Sequence, residues 1–215
     1  MSNKIRAAFN LTQPKQVERD IMSAIDKHMT KKMSGIHTKI SVRASELIKE
    51  ALTASPEAQS LLSGELRSEM GVADASSELE SIFDAISQHT HVSIRKTKST
   101  SRGISIHVKL SAVPIDVDSI AGRLGSYTTN KGTEIPWFKW LTTLGDRVIV
   151  RDYITETGRP RVSRTGDMIM VKGKSGWRVP PAFSGTEEDN FVTRATDKIL
   201  PQLGDFIRQI VEGAV

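Results

Sequence analysis

The chain contains no cysteine. Disulfides, zinc-thiolate sites and thiol nucleophiles are therefore excluded together, which fits a protein made in a reducing cytoplasm. Aromatic residues make up only 5% of the sequence, so the positions of Trp137, Trp140 and Trp177 carry information: a buried aromatic supplies much of the packing around it. No run of about 18 apolar residues occurs. The opening "MSNKIRAAFNLTQPKQ" also lacks an apolar stretch followed by a small-residue cleavage site. The sequence therefore predicts a chain that neither spans a membrane nor leaves the cell by a standard signal. What is present is ordinary for a folded protein: 215 residues, 38% hydrophobic and 26% charged, enough for a real core and too apolar for wholesale disorder. The 30 basic and 25 acidic residues leave a net charge of +5, which permits a polyanionic partner without demanding one.

Up to residue 90 the apolar repeat is helical. Thr12 can cap and Pro14 can open a helix. From there Val17, Ile21, Ile25, Met29, Met33, Ile36, Ile40, Ala44, Leu47, Ile48 and Ala51 keep three- and four-residue spacing up to the stop at Ser55-Pro56. A helix of about 40 residues would be about 60 Å long, more than a compact domain of this size needs. It either bends at Gly35 or projects. A second helix starts at the Ser55 cap and Pro56, loses regularity at Gly64 and stops at Gly71. Asp74 then caps a third, whose Leu79, Ile82, Phe83 and Ile86 form one apolar face.

Between His91 and Leu110 the repeat changes to two. Val92 and Ile94, then Ile104, Ile106, Val108 and Leu110, flank a turn-rich "KSTSRG", the pattern of a β-hairpin. Placing these residues on one face sends His91, Ser93, Arg95, Ser105, His107 and Lys109 to the other. That face, with Lys96, Lys98 and Arg102 at the tip, is basic. Two histidines there lack a carboxylate or cysteine to complete a metal site, so no metal is expected. Pro136 can open a short helix carrying Trp137, Trp140, Leu141 and Leu144, ended by Gly145. "RVIVRDYI" alternates as a strand, and a turn at Gly166 and Asp167 precedes another from Met168 to Val171. The expectation is one sheet of at least four strands over residues 92 to 172.

The stretch "GWRVPPAFSGTEEDNFVTRA", residues 176 to 195, is compositionally the least ordinary. Thr186 followed by Glu187, Glu188 and Asp189 reads as a helix start, with the acids at the positive end of the dipole. Phe191, Ala195, Ile199, Leu203, Phe206, Ile207, Ile210 and Val211 then form an apolar face, with a kink expected at Pro201. Trp177 and Phe183 would staple a stiff loop onto this helix. Such a shaped loop suits a permanent interface.

No catalytic set emerges. Asp116 and Asp118 in "DVD" have no histidine or third carboxylate near them in sequence and read more simply as the start of a helix "DSIAGRL". No nucleophile elbow, phosphate loop, dinucleotide fingerprint or zinc-protease motif is present. The sequence predicts no catalytic residues, no cofactor and no metal.

The segments "SPEAQSLLSGELRSEMG", "IPWFKWLTTLGDRVIVRDY", "SRTGDMIMV" and "WRVPPAFSGTEEDNFVTRA" together resemble neck and tail-completion proteins of tailed bacteriophages. Residues 135 to 195 carry most of the likeness. The resemblance implies a single α+β domain over residues 1–215, with a helical part at 1–90, a β-rich part at 91–175 and a loop with C-terminal helix at 176–215. In it, long N-terminal helices and a C-terminal helix pack on a small, mostly antiparallel β-sheet. It also implies a homo-oligomeric ring, hexameric or dodecameric, in the virion neck, assembled in the bacterial host cytoplasm. Its partners would be the portal or adaptor and the tail tube or tail terminator, with viral double-stranded DNA passing through the lumen and no membrane involved. In that setting Trp137, Trp140, Trp177, Arg178 and Phe183 organise an interface loop, and Asn190 and Arg194 order its junction with the helix. The hairpin bearing Arg95, Lys96, Lys98, Arg102 and Lys109 faces the lumen or a neighbour.

Two alternatives remain open on the residues. A tail terminator needs the same sticky faces and the same lack of an active site. A non-specific nucleic-acid-binding module would use the basic hairpin with Lys27, Lys31, Lys32 and Lys39, and its DNA affinity would fall steeply with salt.

Overall fold

The computed structural model describes residues 14–96, 106–112, 124–158 and 161–212. Some side chains, in the first half of the first helix, along the first hairpin and at the end of the last helix, lie outside that description. Thr12, Asp116, Asp118 and the hairpin tip with Lys98 and Arg102 fall outside the described residues altogether. So do the side chains of Val17, Ile21, Ile25, Met29, Met33, Lys32 and Val211.

Helix α1 runs without interruption over Pro14–Thr53, passing through Gly35 as helix. Its described buried residues begin at Ile36 and continue through Ile40, Ala44, Leu47, Ile48 and Leu52, spaced for one face of a helix. Helix α2, Pro56–Ser63, starts as local chemistry dictates: Ser55 accepts the Ala58 N–H at 3.2 Å and Pro56 occupies the first turn. Helix α3, Glu65–Met70, ends at Gly71, whose φ of 68° is the left-handed conformation of a C-cap. Helix α4, Ala75–Gln88, is capped by Asp74 and buries Leu79, Ile82, Phe83 and Ile86.

Strands β1, Thr90–Lys96, and β2, Ile106–Ala112, pair antiparallel, with Val92 opposite Leu110 and Ile94 opposite Val108. Arg95 pairs with His107 and Ser93 with Lys109, so the backbone register matches the alternation read from the sequence except at Lys96. Lys96 pairs with Ile106 and falls in register with the apolar series rather than with the basic one, because it lies an even number of residues from Val92 and Ile94. Strands β3, Tyr127–Thr128, and β4, Glu134–Ile135, form a second small ladder. Helix α5, Trp137–Thr143, follows Pro136. Strands β5, Val150–Thr157, and β6, Met168–Trp177, make a third ladder. Helix α6, Phe191–Glu212, completes the described chain.

The α+β class expected from the sequence is the class of the fold. Its described strands, however, form three separate two-stranded ladders rather than one four-strand sheet. Alternation predicts that a segment is extended, but it does not name the neighbour. The expected strand at residues 147 to 154 also shifts: β5 starts only at Val150, and a register break at Asp152, held at φ 60°, interrupts the alternation.

One core unites these elements. Residues of α1, α2, α3, α4, α5 and α6 contribute to a single buried cluster with Val92, Trp177 and Val179. At its centre Phe191 meets Phe83 and Phe138 edge-on, with ring centroids 6.4 Å and 5.8 Å away. The first residue of α6 thus pins that helix to α4 and α5.

Candidate functional site

The tryptophans singled out in the sequence belong to this frame. Trp137 is 0% exposed, and its Nε1 donates to Glu78 Oε2 on α4 at 3.0 Å. Trp177 is also buried, and it closes β6 rather than entering a loop. Its Nε1 donates to Glu69 Oε2 on α3 at 3.2 Å, and its ring lies 5.8 Å from that of half-buried Trp140. A buried indole N–H needs an acceptor, and in both cases a carboxylate from a preceding helix supplies it. Burial raises the Glu69 carboxyl above its ordinary range, against the lowering effect of the Trp177 bond, with Glu65 nearby adding to the rise. Burial likewise raises Glu78, opposed by the bond from Trp137 and by the charge of Arg164.

Beyond Trp177 the chain crosses α5. Val179 is buried, and Pro180 accepts the N–H groups of Phe183 and Ser184 at 2.9 and 3.1 Å, closing a tight turn. Gly145 N–H donates to Gly185 O at 2.8 Å. A Cβ on Gly185 would come within 2.6 Å of the Asn190 Cβ and 2.9 Å of Leu141 O, so the loop lies hard against the end of α5. Arg178 is exposed and Phe183 half-buried.

The start of α6 differs from the expected one. Thr186 Oγ1 accepts the Asp189 N–H at 3.1 Å, closing a turn outside the helix. Asn190 is the cap: its Oδ1 accepts the N–H groups of Val192 and Thr193 at 3.0 and 3.2 Å. Thr193 Oγ1 returns a bond by accepting the Asn190 N–H at 2.9 Å, a capping box with Thr in the position where Glu is usual. Asn190 Nδ2 donates to Thr186 O at 2.8 Å, tying turn and helix together. The acids are one turn too early to lie within the helix.

One turn into α6, Arg194 joins this loop to the start of α2. Its Nη1 donates to Asp189 Oδ1 at 2.7 Å and its Nη2 to Glu57 Oε1 at 2.6 Å. The side chain of Glu57 is only 4% exposed, whereas that of Arg194 is 43% exposed. Glu57 Oε2 is buried with no hydrogen-bond partner. These residues line a cleft of 490 Å3 between the α1–α2 turn, the Pro181 loop and α6, with exposed Lys198 also on its wall.

The structure thus brings Asn190 and Arg194 together as a junction, while Trp137 and Trp177 are buried in the core and Trp140 is half-buried against it. Arg95, Lys96 and Lys109 fall on β1 and β2, in a different part of the fold. Sequence reasoning missed Glu57, because an acid in the first turn of a helix is ordinarily explained by the helix dipole alone. Among the described residues, no group of three or more His, Cys, Asp or Glu is placed to hold a metal. No helix among them is long and apolar enough to cross a membrane. The chain matches no protein-family model, no curated protein and no solved structure.

Proposed function

We propose that this chain is a structural protein of the tailed-phage neck, a head-to-tail joining subunit. In this reading it forms a ring with further copies of itself between the portal or adaptor and the tail, and DNA passes through the ring without chemistry. The observation that carries the reading is the β5–β6 hairpin. It is a ladder of two strands, and β5 is exposed along most of its length. Around it Val148 is 51%, Ile154 41% and Val162 70% exposed, with Tyr153 close behind. Exposed apolar side chains beside strand edges that no other described strand pairs suit contact with another chain. The length of α1 supports the same reading. At 40 residues against 22 for α6, α1 spans about 60 Å and α6 about 33 Å, so the first helix outreaches the one that packs along it.

Electron microscopy of particles made by a phage deprived of this gene, with and without complementation, tests the proposal. Filled heads and finished tails are expected to accumulate apart and to join when the intact gene is supplied. Infectious virions formed without the gene would rule the proposal out.

A further inference from the structure

From the cleft beside Glu57 and Arg194 we infer a binding site for a cationic N–H donor on an apolar stem, an alkylammonium or guanidinium group, with Glu57 as its acceptor. The argument starts from the carboxylate. Glu57 is buried, and a buried carboxylate calls for donors on both oxygens. Only Oε1 has one, from Arg194, while Oε2 has none. The second observation is the space beside it: Glu57 lines a cleft of 490 Å3, room for a small organic group. The walls match an aliphatic stem, since Ala51, Ala54, Pro181 and Ala182 all face the cleft. Asp189 on the same wall is paired to Arg194, and the two acids of the lining, Glu57 and Asp189, stand against Arg194 and Lys198.

Arg194 acts as the movable wall. It is far more exposed than the carboxylate it bonds through Oε1; in this proposal its side chain shifts to admit a donor to Oε2 while Asp189 still holds the guanidinium. A cation is favoured over a neutral donor because hydrogen bonds to a charged partner are stronger when both partners are charged.

The chemistry has two sources, a basic side chain of another polypeptide or a free polyamine. Separate titrations of the full chain with N-acetyl-arginine methylamide and with putrescine, followed by amide NMR, distinguish them. Saturable shifts at Ala58, Ser184 and Lys198 are expected, with the blocked arginine bound more tightly if the source is a polypeptide and the diamine more tightly if it is a polyamine. Glu57→Gln, which keeps the shape and the acceptor for Arg194, is expected to weaken the stronger probe roughly tenfold or more. Unchanged dispersion of the remaining amides establishes that this variant is folded. Four results overturn the proposal: no saturable shift with either probe, equal binding to Glu57→Gln, equal shifts from tetramethylammonium, which has no N–H, or binding seen only in Lys198→Ala. The last would mean that Lys198 itself supplies the missing donor.

Discussion

Glu69 and Glu78 each accept an indole N–H while partly withdrawn from water, and their protonation is tied to the fold. Because burial raises both carboxyls in the folded state, the folded chain holds protons there that the unfolded chain has already released. The contribution of each to stability is full below the unfolded carboxylate value and is lost as pH rises through the raised folded value. Once deprotonated, both glutamates carry their charge at a desolvation cost. Replacing both with Gln, whose carbonyl still accepts from Trp137 and Trp177, is expected to raise stability more at about pH 7 than at about pH 4. Urea unfolding at the two pH values measures this, and a larger gain at the acid value would contradict the assignment. Gly71 gives a second prediction. Its φ is 68° and a Cβ there would stand 2.6 Å from Tyr127 Oη, the group that donates to Met70 O at 2.8 Å. Gly71→Ala is expected to cost about 2 kcal/mol or more, from left-handed strain and a displaced tyrosine, read as a lower urea midpoint at unchanged slope.

Among the elements, the start of α6 separates the expected cap from the real one. Asn190→Ala removes the acceptor for two helix N–H groups and is expected to cost about 1 to 2 kcal/mol. Thr186→Ala loosens only a turn and is expected to cost less than half as much. Thermal unfolding of the two variants ranks them, and the reverse order would restore the cap at Thr186. The misplacement has a plain cause: a threonine followed by acids and an asparagine four residues on are both good caps, and local chemistry does not rank them. What decides is Phe191, whose ring must meet Phe83 and Phe138 and so fixes where the helix begins. Where the signal was local, the reading and the fold agree, as at the Ser55 cap, the Gly71 stop and the Asp74 cap. Where it depended on distant partners, they part. Trp177 joins a strand because it pairs with Val150, and Glu57 becomes part of the junction through an arginine 137 positions away. The resemblance assigns Asn190 and Arg194 to the loop–helix junction, whereas no local signal marks Glu57, the carboxylate that Arg194 reaches.

At the scale of the whole molecule, much of the polar geometry is spent inward. Two indoles are tied to two helices, and a buried acid is held to an arginine across the α2–α6 junction. Among the described residues, four of the seven exposed large apolar side chains, Val148, Tyr153, Ile154 and Val162, lie on β5 or in the segments flanking it, Tyr153 and Ile154 on its opposite faces. A protein that joins other chains needs this division, a rigid interior and a face that another chain covers. The most direct measurement is complementation of the gene-deprived phage by a chain carrying Tyr153→Asp and Val162→Asp, two changes at exposed positions expected to leave folding intact by circular dichroism. The account predicts a stable, folded protein that leaves filled heads and finished tails unjoined. Normal infectious virions from this variant would contradict it.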